Sequence, residues 1–260
     1  MSLPKTPDLL AASVKQPYRF PWGRIFGELD QYSEETRWPD HFHPTHELLW
    51  AQGGAITVLV GRRLWTVAGS QALWIPAGTV YSGTVPAGVT SRATFFDPDH
   101  TPARTEEPAS VEVTPLLGQL LEHLRTGELD EGERHRAEAV VMDLVRPVPQ
   151  PVILQMPTHE LIAGAAEQIL ADPAASHGLD SWADRLGVSS RTLTRLYRNE
   201  TGMGFRGWVT TARVKCSIES LAEGASVAEA GRSVGYATTS AFGVAFRRVT
   251  GMTPGEFRHE

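Results

Sequence analysis

The stretch Asp40-His41-Phe42-His43-Pro44-Thr45-His46-Glu47 concentrates side chains that can ligate a metal. His41, His43 and Glu47 share parity, so on a continuous strand all three project to one side. Two imidazoles and a carboxylate suit Fe, Mn, Ni or Zn. Pro44 sits inside the run and works against a continuous strand. His46 and His100 are further imidazoles that could complete a ligand set. A second concentration lies over residues 190–215, where Arg191, Arg195, Arg198, Arg206, Arg213 and Lys215 stand against one acid, Glu200. Cationic groups at that density fit phosphates and base edges. No P-loop, G-x-S-x-G elbow, paired-Cys motif or His-Glu-x-x-His run appears, so nothing nominates a catalytic nucleophile. Gly202-Met203-Gly204-Phe205-Arg206-Gly207 matches G-x-G-x-x-G but follows a helical pattern instead of a strand, so a dinucleotide site is rejected.

Two regions must position these groups. The 260 residues allow one or two domains, and the 41% apolar and 21% charged fractions are those of an ordinary folded chain. The formal charge of −6 is uneven. Residues 1–157 hold 13 Lys and Arg against 19 Asp and Glu, whereas residues 158–260 hold 11 against 11. The arginine cluster therefore sits in a neutral region, which keeps a nucleic-acid reading open despite the acidic total. No apolar run reaches the roughly 18 residues of a membrane span, and the N-terminus is a poor secretory signal. A lone Cys216 excludes an intrachain disulfide. Together these predict a cytoplasmic protein with no membrane partner.

Short alternating runs with turn residues between them predict an all-β barrel over 18–105, preceded by a flexible segment at 1–17. Gly61-Arg62 reads as a hairpin turn. Helical period takes over across 106–150, where Leu116, Leu117, Leu120, Leu121 and Leu124 form one stripe. That stripe packs on the barrel or joins a second subunit, the latter making a homodimer. Pro147, Pro149, Pro151 and Pro157 favour an extended linker, with a boundary near 150. Residues 151–260 read as all helical.

Within that half, Tyr197-Arg-Asn-Glu-Thr-Gly-Met203 and Phe246-Arg-Arg-Val-Thr-Gly-Met252 repeat one pattern 49 positions apart. Each closes a helix-turn-helix unit, at 179–201 and 227–250, with a helix at 204–222 between them. Gly187 and Gly235 take the turns, Val188 and Tyr236 plug them, and Ser189 or Ser190 caps the next helix. Leu193, Leu196 and Tyr197 share one face, which leaves Ser190, Arg191, Thr194, Arg195 and Arg198 opposite. In the second unit Phe242, Ala245 and Phe246 point in, while Thr239, Ser240, Gly243, Arg247 and Arg248 point out or close the helix. Such a helix, presented after a glycine turn, fits the major groove. An intervening helix of about 18 residues spans roughly 27 Å, near the ~34 Å between successive major grooves.

Residues 158–258 resemble the DNA-binding domain of the AraC/XylS family of bacterial transcription regulators. The resemblance rests on "WADRLGVSSRTLTRLYRNETGM", Arg213, "SVAEAGRSVGY" and "AFGVAFRRVTGMTPGEFR". It implies that Arg191, Thr194, Arg195 and Arg198 contact bases and phosphates, and that Thr239, Ser240, Gly243 and Val244 form the corresponding second face. Bidentate readout needs Arg, Lys, Asn or Gln, so the first unit is expected to supply most discrimination and the second to position through Arg247 and Arg248. "HFHPTHELLWAQGG" and "GSQALWIPAGTVY" resemble the two motifs of the cupin barrel. That resemblance places Tyr81 where a cupin's last His ligand stands. Three readings stay open for the barrel: a divalent metal at His41, His43 and Glu47, a small-molecule effector pocket including Tyr81, or a purely structural core. The expected function is sequence-specific binding of double-stranded promoter DNA, modulated by that effector or metal, with RNA polymerase as a partner of an activator. The alternative is a cupin metalloenzyme, a dioxygenase or isomerase, carrying a DNA-binding module.

Overall fold

A computed structural model describes residues 24–148, 152–175 and 178–259. The expected flexible segment at 1–17 lies outside the described residues, as do positions 149–151 of the proline-rich stretch. Ten strands are described: β1 Ile25–Gln31, β2 Thr36–His41, β3 His46–Gln52, β4 Ala55–Val60, β5 Arg63–Ala68, β6 Gln71–Ile75, β7 Tyr81–Val85, β8 Thr90–Phe96, β9 Ala109–Glu112 and β10 Ile153–Gln155. The helices are α1 Pro115–Thr126, α2 Glu131–Leu144, α3 Glu160–Ala171, α4 Leu179–Arg185, α5 Ser190–Thr201, α6 Phe205–Ala222, α7 Val227–Ser233, α8 Thr239–Thr250 and α9 Pro254–His259. The chain divides into two compact units, 1–60 with 70–149, and 61–69 with 150–260.

In the first unit, β1-β8-β3-β6-β9 form one antiparallel sheet, and β2, β7 and β4 pair in a second. Side chains alternate across the pleat, so each strand serves two environments. Leu48, Trp74, Phe96 and Val111 face one way and pack with Leu117, Leu121 and Leu124 of α1 and Val141 of α2. Glu47, Leu49, Ala93 and Phe95 have the opposite parity. The register sets Glu47 beside Phe95, and Leu49 beside Ala93 and then Glu28. The leucine stripe is therefore mostly a core element: Leu117, Leu121 and Leu124 are buried, Leu120 is half-buried, and Leu116 alone is 60% exposed. Thr114 and Asp130 cap α1 and α2, the latter through a capping box with Glu133.

The second unit corrects the linker expectation. Ile153–Gln155 is not a free spacer but a strand, paired antiparallel with Trp65–Arg63 of β5. An extended segment has unsatisfied backbone groups, and an adjacent strand edge supplies their partners. The Trp208 indole donates to the Gln155 carbonyl at 2.8 Å, which ties β10 to α6. Leu193, Tyr197, Phe205, Trp208, Ala212, Ile162 and Ala166 share one apolar core. Cys216 lies beside it on α6, and burial pushes its thiol up to about 11. Among the described residues no helix is long and apolar enough to cross a membrane.

Candidate nucleic-acid interface and effector cavity

The seven-residue repeat is one closure device written twice. Helices α5 and α8 each run 12 residues and begin 49 positions apart. Ser189 caps α5 by accepting from Thr192 N, and Thr238 caps α8 by accepting from Ala241 N. Each ends on a left-handed glycine, Gly202 at φ 75° and Gly251 at φ 86°. The preceding threonine locks the exit. Thr201 donates to the Tyr197 and Met203 carbonyls, and Thr250 donates to the Phe246 and Met252 carbonyls. Aromatic, Thr, Gly and Met are thus the parts that fix where the chain leaves each helix.

Both helices bury the predicted faces. Leu193 and Tyr197 are inside on α5, as are Phe242, Ala245 and Phe246 on α8. Arg191, Arg195, Arg198, Thr239, Ser240, Arg247 and Arg248 are exposed, and Thr194 and Gly243 half-buried. Ser190 differs from its expected role, since its hydroxyl donates to the Asp180 carboxylate of α4 and braces the turn. Ser189, not Ser190, is the cap. Arg213 also works inward: its Nε donates to the Pro173 carbonyl at 2.9 Å, and its guanidinium lies 5.9 Å from the Tyr236 ring centre. It secures the second turn. Glu200, the lone acid of the basic stretch, accepts from Thr158 and from Arg62 at 2.8 Å. Its spacing alone carries no sign of those partners, which lie 42 and 138 residues away.

In the first unit, His41 ends β2, His43 lies in the connection, and Glu47 belongs to β3. The continuous strand does not form, because Pro44 interrupts it. The turn nevertheless brings these side chains together with Tyr81. The His41 and Tyr81 rings are 4.3 Å apart, and the Tyr81 hydroxyl donates to Glu47 Oε2 at 2.6 Å. They line a cavity of about 90 Å³ with Glu28, Asp30, Tyr32, Trp38 and Phe95. Sequence reasoning missed Glu28 and Asp30; their alternation on β1 was the available signal. Burial, with Glu28 nearby, outweighs the Tyr81 hydrogen bond and raises the Glu47 carboxyl to about 7. Burial beside His41 lowers His43 to about 4. The 3.8 Å approach of His43 Nε2 to Glu47 Oε2 is consequently no ion pair near neutrality, because burial drives both groups toward their neutral forms.

A metal fits this geometry poorly. Among the described residues no three His, Cys, Asp or Glu side chains converge on one ion. His41 Nδ1 donates to the Pro39 carbonyl at 2.7 Å. His46 Nδ1 accepts from Ala77 N, and His100 pairs with Asp97 at 2.7 Å. The Nδ1 bond does not by itself remove His41 as a ligand, but among the described residues the set falls short of the three converging protein ligands of an ordinary open zinc site.

A β-unit built around a lined cavity, followed by two copies of a helix-turn-helix, defines a ligand-responsive transcription regulator. Residues 24–145 match the model of the AraC-like ligand binding domain, and residues 182–260 match that of a helix-turn-helix domain. The chain is 30% identical over 229 residues to the HTH-type transcriptional regulator NimR of Escherichia coli K12, spanning 86% of this chain and 84% of that one. It is 28% identical over 214 residues to the regulator RipA of Corynebacterium glutamicum, covering 81% and 61% respectively. A putative AraC-like transcription regulator of Streptomyces lividans is 37% identical over 106 residues, 37% of this chain and 35% of that one. The chain belongs to the AraC family of transcription regulators.

Proposed function

We propose that this regulator binds promoter DNA by laying α5 and α8 into major grooves, and that a small organic molecule in the first unit's cavity modulates the binding. The observation that carries the DNA reading is the duplicated helix: two identically capped, identically closed helices turn every arginine they carry to solvent. Arg191, Thr194 and Arg195 are assigned to base edges, with Arg198, Arg247 and Arg248 on phosphates. Ser190 drops from the contact set, since Asp180 holds its hydroxyl. The test is binding to promoter fragments across a salt series. Arg195→Ala should lose about 1–3 kcal/mol on the preferred sequence and relax one base. Arg247→Ala should weaken every sequence alike and reduce the salt slope by about one unit. Equal loss on all sequences for Arg195→Ala overturns the assignment.

The lining supports an organic effector over an ion. At about 30 Å³ of liquid volume per water, the cavity of 90 Å³ holds roughly three water-sized groups. Glu28, Asp30 and Glu47 line it beside four aromatic rings, with no Lys or Arg. The effector is a small molecule, neutral or positively charged, and an anion is disfavoured. Family membership and the absence of a catalytic constellation in the sequence favour a sensor over the metalloenzyme alternative. Assembly as a homodimer belongs to the same reading, with Leu116 as the stripe residue left at the surface; an unchanged dimer mass for Leu116→Asp removes it from that role.

A further inference from the structure

The 49-residue offset maps α5 onto α8 residue by residue: Leu193 onto Phe242, Tyr197 onto Phe246, Arg198 onto Arg247. On that mapping Arg195 corresponds to Val244. Both point to solvent, and Val244 is 69% exposed, the highest value among the large apolar side chains described as exposed. A valine placed so openly at the mid-face of a 12-residue helix gains nothing from the core. Its neighbour Gly243 adds a separate oddity. Gly243 lies inside the helix, where glycine is less favourable than alanine. A Cβ there would meet nothing within 4 Å, so packing does not require the glycine. What remains is close approach of the helix backbone to something outside the chain. Valine reaches a few ångströms less than arginine, so it touches a base only if the backbone comes nearer. Gly243 permits that approach, and the two residues make one device.

We propose that Val244 reads the C5-methyl group of a thymine in the second half-site, with Gly243 letting α8 sit deep enough in the major groove for the contact. This rests on the DNA-binding reading above and changes it in one respect. The second unit discriminates bases, but by an apolar contact outside the hydrogen-bond code. The first unit reads at the same position with a guanidinium.

The experiment starts from a randomised duplex library selected with the full chain, from which the best duplex is resynthesised with deoxyuridine replacing each thymine in turn. Deoxyuridine differs from thymidine only by the missing methyl. Wild type should lose about fourfold in affinity at one thymine of the second half-site, the effect of leaving one methyl unburied. Val244→Ala should bind more weakly and become indifferent to that replacement, whereas Val244→Ile should keep the sensitivity. Gly243→Leu should abolish it by holding the helix away. Val244→Arg should move the preference at that base toward guanine. These side chains are exposed or face open space, so thermal midpoints no lower than that of wild type confirm that binding alone is being read. A flat deoxyuridine response in wild type overturns the proposal while leaving the regulator reading intact. So does a response that persists in Val244→Ala, which would assign the methyl to another side chain of α8. A library that enriches no sequence overturns the regulator reading, and this inference falls with it.

Discussion

Glu47 and His43 carry opposite proton linkages in one buried cluster. Glu47 titrates near 7 in the fold against an ordinary value of 4.5, so the native state keeps its proton longer than the unfolded chain does. Its contribution is fully present below pH 4.5 and is lost as pH rises to about 7. His43 titrates near 4 against 6.5, so the unfolded chain takes up the proton first. Its contribution is present above pH 6.5 and is lost as pH falls toward 4. The two slopes oppose each other across the same window. Urea midpoints should therefore show Glu47→Gln gaining on wild type between pH 4.5 and 7, by on the order of 3 kcal/mol at 1.36 kcal/mol per unit. His43→Gln should gain on wild type as pH falls from 6.5 to 4. Parallel curves for wild type and both variants would mean that neither group is buried as described. At this scale the sequence named His41, His43, Glu47 and Tyr81 as one site. It did so by an incorrect route, because the strand that was to align them breaks at Pro44 and the turn and β7 bring them together instead.

At the scale of elements, two glycines of the DNA-binding half should respond in opposite directions. Gly235 holds the second turn at φ 86°, and a Cβ there would lie 3.0 Å from the Ala174 backbone. Gly235→Ala combines a left-handed penalty of about 1–2 kcal/mol with that clash, so a stability loss of about 2 kcal/mol or more is expected. Gly243→Ala has helical backbone and open space, so it should gain about 0.5–1 kcal/mol. Chemical denaturation of the two variants checks both signs, and a loss at Gly243 would point to strain that the fold does not show. Helices were legible because 3.6-residue periodicity, caps and glycine stops are local. The leucine stripe shows the limit of that legibility. Its spacing identified α1 and its apolar face, but both a barrel and a second subunit would satisfy that face. The choice went to the sheet because β3, β6 and β8 turn Leu48, Trp74 and Phe96 toward it. The same applies to β10, whose proline-rich neighbourhood reads as a spacer until β5 offers it an edge.

For the whole molecule, regulation requires that the cavity and the recognition helices be linked thermodynamically. If an occupant of the cavity changes DNA affinity by some factor, DNA must change the occupant's affinity by the same factor. Ethylammonium, ethanol and acetate form a series of three or four heavy atoms across three charges, a size near what the cavity holds. Calorimetry should rank acetate weakest against the lining of Glu28, Asp30 and Glu47, and the two-way factors should agree for any member that binds. Acetate binding best would overturn the assignment of effector charge. The proposed phosphate contacts of the α5 and α8 arginines should make DNA binding strongly salt-dependent despite a total charge of −6.

The sequence by itself determined the two-part organisation, the helices and their caps, the duplicated recognition unit and the family, since each is written in periodicities and motifs that act over a few residues. Tertiary structure decided the rest. It turned the leucine stripe into core, made a strand of the linker, took Ser190 and Arg213 into bracing roles, and added Glu28 and Asp30 to the cavity. It also gathered His41, His43 and Glu47 at one cavity without converging them on a common ion position. All of these depend on which distant segment supplies the partner, and pairings across tens of residues are set by competition among surfaces that local spacing does not encode.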